Sequence, residues 1–158
     1  MDWSGWATFG FVATVALTAI MVGAQTIGLS RMDVPLMLGT IVAADPDRAR
    51  IAGLLVHLAN GQVFALLYVS AFAHIGWTHW WLGLLFGLAH GLFALALLVP
   101  ALPGVHPRME SSRAGLHLPA SLEPPGAFSL NYGRETPLVT LLAHAAYGAI
   151  LGAFIRPM

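Results

Sequence analysis

The 158-residue sequence contains no cysteine and no lysine, and only 9% of its residues are charged. Without cysteine, this chain holds no disulfide, no thiolate metal site and no iron–sulfur cluster. Its seven basic residues are all arginines and are balanced by seven acidic residues, so it lacks the basic surface by which proteins bind nucleic acid. Roughly a quarter of the residues in soluble domains are charged. The low charge therefore also argues against a soluble enzyme and a disordered chain.

The sequence is instead rich in long apolar runs. Hydrophobic residues make up 58% of it, and the mean hydropathy is +0.76. A helix needs about 20 apolar residues to cross a bilayer. The runs predict four spans, at about 3–30, 46–73, 79–99 and 136–156. We therefore expect a single-domain, all-α integral membrane protein built as a four-transmembrane-helix bundle. The first run is too long, and lacks the basic start, for a cleavable signal peptide.

Local signals mark where these helices begin and end. Asp45 followed by Pro46 predicts a capped start for the second span. Thr78 is expected to cap the third span, and Thr136 followed by Pro137 predicts the start of the fourth. Pro100 and Pro103 are expected to end the third span, because proline lacks the backbone N–H that a helix interior uses.

Two segments fit no span. Residues 101–135 are rich in proline and glycine and predict a long irregular loop between the third and fourth helices. Apolar residues such as Leu122, Phe128 and Tyr132 favour an ordered lid packed over one end of the bundle, with a mobile loop as the alternative. Residues 34–44 are apolar but only half a span long, so we expect them to lie at the interface or against the bundle.

The arginines predict the orientation. Side A, defined as residues 31–50 and 101–135, carries Arg31, Arg48, Arg50, Arg108, Arg113 and Arg134, whereas the opposite side B carries Arg156. By the positive-inside rule side A is cytoplasmic and both termini are outside, in what we expect is a bacterial cytoplasmic membrane. Four spans also bring all five tryptophans to side B as an aromatic belt: Trp3, Trp6, Trp77, Trp80 and Trp81.

Three histidines lie in the interior of the predicted spans, away from their ends. Counted from the side A ends, His57, His144 and His90 lie roughly 9, 10 and 15 Å deep at 1.5 Å per residue. They come from three different helices, and each lies on a face rich in small residues, which is the packed face of a membrane helix. Polar ionisable residues inside a bilayer usually face the bundle interior.

These observations predict a shared site. Imidazoles bind Zn, Cu, Fe or Ni, so His57, His90 and His144 are candidate ligands of a transition metal ion, with Asp33 and His106 of side A as further candidates. Two of the histidines on facing helices are alternatively candidate axial ligands of a b-type haem. In a third interpretation, the histidines relay protons with Tyr68 and Tyr147.

The sequence leaves two other functions open. In the first, the histidines serve only helix contacts in an accessory or scaffold subunit of a larger membrane complex or homo-oligomer, with the lipid bilayer as the first partner and no nucleic acid. The second is a metal-assisted membrane enzyme that acts on a lipid or quinone. The sequence contains none of the HExxH, GxSxG, Walker or GxGxxG motifs in a context that would indicate a particular chemistry.

Overall fold

The computed structural model describes residues 2–110 and 122–156. Its helices are α1 (Trp3–Thr26), α2 (Val34–Gly39), α3 (Pro46–Ile75), α4 (Trp80–Phe93), α5 (Val99–Ala101) and α6 (Thr136–Phe154). Four helical segments are long and apolar enough to cross a bilayer: α1, α3, α6 and the segment Trp80–Gly104, which contains α4 and α5. The prediction of an all-helical chain with four helices of membrane-spanning length is therefore confirmed for the described residues.

Aspartates begin two of the long helices. The Asp45 carboxylate accepts a hydrogen bond from the Arg48 N–H at 2.9 Å, and Pro46 is the first residue of α3, so this predicted start is confirmed. At α1 the Asp2 carboxylate accepts from the Gly5 N–H at 2.8 Å. In both cases a carboxylate satisfies a backbone donor that the helix itself leaves unpaired.

The predicted start of the fourth span at Thr136 is confirmed, since α6 begins there, but neither Thr78 nor Thr136 caps its helix. The α4 N-cap is His79, which makes no capping bond through its side chain, and Thr78 donates instead to the Ile155 carbonyl at 2.9 Å. Thr136 is the first residue of α6, and its hydroxyl pairs with that of Ser30 at 2.9 Å. Both hydroxyls link elements distant in sequence, which local spacing did not reveal.

The third span does not end at Pro100, contrary to the sequence prediction. A π-helical turn, Ala94–Leu98, follows α4, and the chain continues through α5 and a 3₁₀ turn, Leu102–Gly104. Pro100 lacks an N–H, and its ring would crowd the carbonyl four residues earlier in a regular helix. The wider π turn accommodates that conflict, so the helical path continues.

Glycines set the closest helix contacts. A Cβ at Gly83 would lie 2.0 Å from the Gly148 carbonyl oxygen, so α4 and α6 meet backbone to backbone. A Cβ at Gly53 would lie 1.7 Å from the Pro35 carbonyl oxygen, so α2 folds back tightly onto α3. This confirms that the short apolar segment after α1 packs against the bundle. The α1 helix packs against both α3 and α6.

Bulky rings separate α3 from α4, although only a short turn at 76–79 joins them. Phe64 of α3 packs on His90 of α4 with ring centroids 4.0 Å apart. Nearer the turn, Phe72 and Tyr68 contact Phe86 at 5.6 and 5.9 Å. The bundle is therefore closely packed along α4 and α6 and held wider between α3 and α4.

The described parts of the predicted loop are packed on the bundle. The Tyr132 carbonyl accepts from the Arg31 N–H at 2.7 Å, and the Tyr132 hydroxyl donates to the Glu123 carbonyl at 2.6 Å. Leu122 pairs with the chain at Met109 through two backbone hydrogen bonds to neighbouring residues. Residues 111–121, which include Arg113, His117 and the middle of the predicted lid, lie outside the described residues.

The opposite end of the bundle joins three segments. The Asp2 carboxylate accepts from the Arg156 N–H at 3.0 Å, and Thr78 binds the Ile155 carbonyl. The beginning of α1, the α3–α4 turn and the end of α6 therefore lie together. Tryptophan pairs lie on these segments, with ring centroids 6.0 Å apart for Trp3 and Trp6 and 5.4 Å for Trp77 and Trp81.

Candidate functional site

A cavity of about 300 Å³ lies inside the bundle. Its walls come from α1, α2, α3, α4, the π-helical turn and α6, and most of them are apolar. His57, His90 and His144, which three different helices contribute, all line this one cavity. The histidines that the sequence singled out therefore line one common cavity.

His144 has its protonation pattern fixed by its own helix. Nδ1 lies 2.8 Å from the Thr140 carbonyl oxygen. Because a carbonyl only accepts hydrogen bonds, Nδ1 must donate, and Nε2 of the neutral ring is left as an acceptor. The ring lies beside Gly91, where a Cβ would approach the His144 side chain to 3.0 Å.

The other two imidazoles are held mainly by packing. The His90 ring meets the edge of His144, with centroids 4.7 Å apart and planes at 83°. Its Nδ1 lies 3.4 Å from the Tyr68 hydroxyl, a long and therefore weak hydrogen bond. His57 Nε2 is buried and has no hydrogen-bond partner among the described residues.

The hydroxyl groups of the lining differ in whether they already have a hydrogen-bond partner. The Tyr147 hydroxyl donates to the Gly61 carbonyl at 2.6 Å, and the Thr14 hydroxyl donates to the Gly10 carbonyl at 2.7 Å. Thr140 is only 3% exposed, and its hydroxyl has no partner within the described parts of the chain. The lining therefore includes two residues with an orphaned polar atom, His57 (Nε2) and Thr140 (Oγ1), together with the acceptor nitrogen of His144.

The lining residues that were not predicted from the sequence include three methionines: Met21, Met32 and Met37. Met21 lies on α1, whereas Met32 and Met37 reach the cavity because α2 folds back against α3. No sequence spacing signals such a return. Methionine side chains are flexible and fill irregular apolar spaces, so this wall can adapt to a bound molecule.

Asp33 and His106 are not brought to the three histidines. The Asp33 carboxylate caps α2 by accepting from the Leu36 N–H at 2.8 Å, and it pairs with Arg50 at 3.1 Å. His106 Nδ1 accepts from the Arg108 N–H at 3.1 Å, and Nε2 donates to the Met37 carbonyl at 2.9 Å. Neither residue lines the cavity, and both hold the side A segments in place.

The donor set also bears on the predicted metal site. Within 2–110 and 122–156, no group of three or more histidine, aspartate or glutamate side chains lies close enough to hold a metal ion. The described lining also contains no aspartate, glutamate or arginine. The cavity is therefore polar at a few neutral groups and otherwise apolar.

Comparison with protein-family models, with curated proteins and with solved structures finds no match for this chain.

Proposed function

We propose that this protein is an integral membrane protein that binds a ligand inside the bundle through His57, His90 and His144. The observation that carries the proposal is their common position on one largely apolar cavity, where His57 Nε2 is unpartnered among the described residues and His144 Nε2 is an acceptor. Cavities of this size with a few convergent polar groups are typical ligand sites. The ligand classes predicted from the sequence are a transition metal ion and a b-type haem.

A metal ion is supported by the nitrogens that the fold leaves available. Neutral imidazole is a good ligand for several transition metals, and the hydrogen bond from Nδ1 of His144 to a carbonyl is the arrangement that orients a metal-binding histidine. In the described parts of the chain the rings are not gathered as a ready three-donor group. Metal binding would therefore require the imidazoles to rotate toward one another.

Haem requires a larger rearrangement. A b-type haem would be held by two of the histidines, and its macrocycle would have to fit between their rings. His90 and His144 are in direct edge contact, with centroids 4.7 Å apart. No macrocycle fits between rings in that contact, so His57 would have to supply one of the two axial nitrogens.

The scaffold alternative is less well supported by the hydrogen bonds. If the histidines served only helix contacts, each should bond a neighbouring helix. The His90 bond to Tyr68 does so but is long, whereas the His144 bond lies within α6. His57 Nε2 has no partner in the part of the chain that the structure describes. An unpartnered buried polar group costs about 1–3 kcal/mol, a cost that a bound ligand would offset.

The test is the ligand content of the detergent-purified protein. Elemental analysis detects metal, visible absorbance detects haem, and mass spectrometry of an organic extract detects lipid-like molecules. We expect a bound ligand in the wild type that is lost in the combined variant His57→Ala, His90→Ala and His144→Ala. A matched control, His74→Ala with His79→Ala, alters exposed histidines at the α3–α4 turn and should retain it.

A second control separates the side A residues from the site. His106→Ala and Asp33→Ala should lower the thermal unfolding midpoint, because both residues hold α2, but the ligand content should stay at the wild-type level. A ligand-free wild type, or a ligand retained in the triple histidine variant, would contradict the proposal and favour the scaffold role.

A further inference from the structure

The exposed members of the cavity lining indicate that it opens between α3 and the π-helical turn. Asn60 of α3 and Leu98 of the turn both line the cavity, and both side chains are exposed, Leu98 to 41%. This opening adjoins the place where Phe64 and His90 keep α3 and α4 apart. The bundle therefore has a lateral opening in addition to its two ends.

The opening lies at the level of the lipid tails. Asn60 is fourteen residues after Pro46, roughly 21 Å along a helix about 45 Å long at 1.5 Å per residue. In a bilayer that position faces hydrocarbon, where an exposed amide is costly without a polar partner. A molecule that enters here comes from the membrane itself, and its polar group passes Asn60.

The polar groups inside favour a hydroxyl. His144 Nε2 can only accept in the neutral ring, so it requires an O–H or N–H donor from the ligand. The Thr140 hydroxyl, which belongs to the same lining, is buried without a partner among the described residues and is a second group that can bond a ligand hydroxyl. An alcohol or phenol oxygen donates once and accepts twice, which matches these two neighbours.

The lining also favours an uncharged ligand with an apolar tail. The described lining holds no arginine, aspartate or glutamate that could pair with a charged head group, and an unpaired buried charge is far more costly than a neutral polar group. Leu17, Met21 and Met37 supply an apolar wall that can adapt to an alkyl or isoprenoid chain.

From these observations we infer that the ligand is a neutral, membrane-dissolved amphiphile with a hydroxyl head group. It enters from the bilayer between α3 and the π-helical turn, and its head group binds at His144 and Thr140. This inference rests on the proposed function and names the ligand class for the same cavity.

Three probes with the same alkyl chain test the head group: dodecanol, dodecyl methyl ether and dodecyl phosphate. Binding is measured with the full chain in lipid nanodiscs, which avoid competing detergent. We expect dodecanol to bind about tenfold more tightly than the ether, because the ether leaves His144 Nε2 unpaired at a cost near 1.4 kcal/mol. We expect dodecyl phosphate not to compete. Equal binding of all three probes would overturn the inference.

Thr140→Val tests the head-group site without relying on a destabilising change. Because the Thr140 hydroxyl has no partner in the described parts of the chain, its loss should leave the unfolding midpoint unchanged or higher while it weakens dodecanol binding. Thr18→Val is the matched control, since that hydroxyl bonds a carbonyl of its own helix, and should leave binding unchanged. Unchanged dodecanol binding in Thr140→Val would overturn the assignment.

Leu98→Trp tests the route of entry. The larger ring should obstruct the opening and slow dodecanol association from vesicles, whereas Leu97→Trp, at an exposed neighbour outside the lining, should not. Equal association rates would overturn the lateral route. If the histidines retain a metal and dodecanol does not bind, this inference fails while the proposed function stands. If no ligand depends on the histidines, the proposed function itself fails.

Discussion

Single hydrogen bonds determine which nitrogens of His144 and His106 remain available to bind a ligand. The bond from His144 Nδ1 to the Thr140 carbonyl turns that histidine into an acceptor, and the two bonds of His106 commit both of its nitrogens to structure. Two histidines of one chain thus differ in their capacity to bind a ligand. That difference follows from their partners and not from the residue type.

The charge of Asp2 should contribute measurably to the free energy of unfolding. Its carboxylate accepts from the Arg156 and Gly5 N–H groups, and these bonds hold the pKa of Asp2 below its ordinary value of 3.8. Because the folded state binds the proton more weakly than the unfolded state, the stabilisation is complete above the unfolded pKa. It is lost as the pH falls through the lower folded pKa.

We therefore expect Asp2→Ala to lower the free energy of unfolding by about 1 kcal/mol near neutral pH, the usual cost of a lost helix cap. Thermal unfolding of both proteins at about pH 7 and about pH 3 checks this, and the difference between them should shrink at the acidic pH. The same difference at both pH values would show that the Asp2 charge does not contribute.

At the scale of elements, the glycine contacts between α4 and α6 determine where His144 lies. A Cβ at Gly87 would lie 2.1 Å from the His144 carbonyl oxygen, so even alanine would push the two helices apart. The cavity depends on the same contact, because His90 and His144 face it from these two helices.

We expect Gly87→Ala to lower the free energy of unfolding by about 1–3 kcal/mol, as overpacking does in close-packed interiors. Gly23→Ala in α1 is the matched control, since no described atom beyond its chain neighbours and the adjacent backbone of α1 lies within 4 Å of the position that its methyl group would take, and alanine favours a helix. Chemical or thermal unfolding of both variants measures the effect. Equal stability of the two variants would show that α4 and α6 tolerate separation at this level.

At the scale of the whole molecule, the fold brings one end of α1, the α3–α4 turn and the end of α6 together. Among the described residues, the arginines between α1 and α3, together with Arg108 and Arg134, therefore belong to the opposite end. This arrangement agrees with an even number of spans, and the positive-inside rule predicts that the arginine-rich side A is cytoplasmic.

The absence of cysteine makes this orientation testable, because any introduced cysteine is the only thiol in the chain. We expect His79→Cys, on side B, to react with a membrane-impermeant maleimide in intact bacterial cells. Val42→Cys, at a position that is 68% exposed on side A, should react only after the cells are permeabilised. The reverse labelling pattern would show that the orientation prediction is wrong.

The number and approximate positions of the long helices follow from the sequence alone, as does the start of α3 at Asp45 and Pro46. Hydropathy and helix capping depend on residues a few positions apart, so a linear reading contains the necessary information. The sequence alone also shows that histidines lie within three spans. That information identified the candidate site residues but not the ligand that they bind.

Tertiary packing decided the rest. Thr78 and Thr136 bond partners 77 and 106 residues away, α2 folds back to bring Met37 to the cavity, and a π-helical turn carries the third span past Pro100. Which histidine nitrogens stay available also depends on these contacts. These features depend on contacts between residues that are far apart in the sequence. Such contacts compete with local helical preferences, and they form only once the helices are packed together.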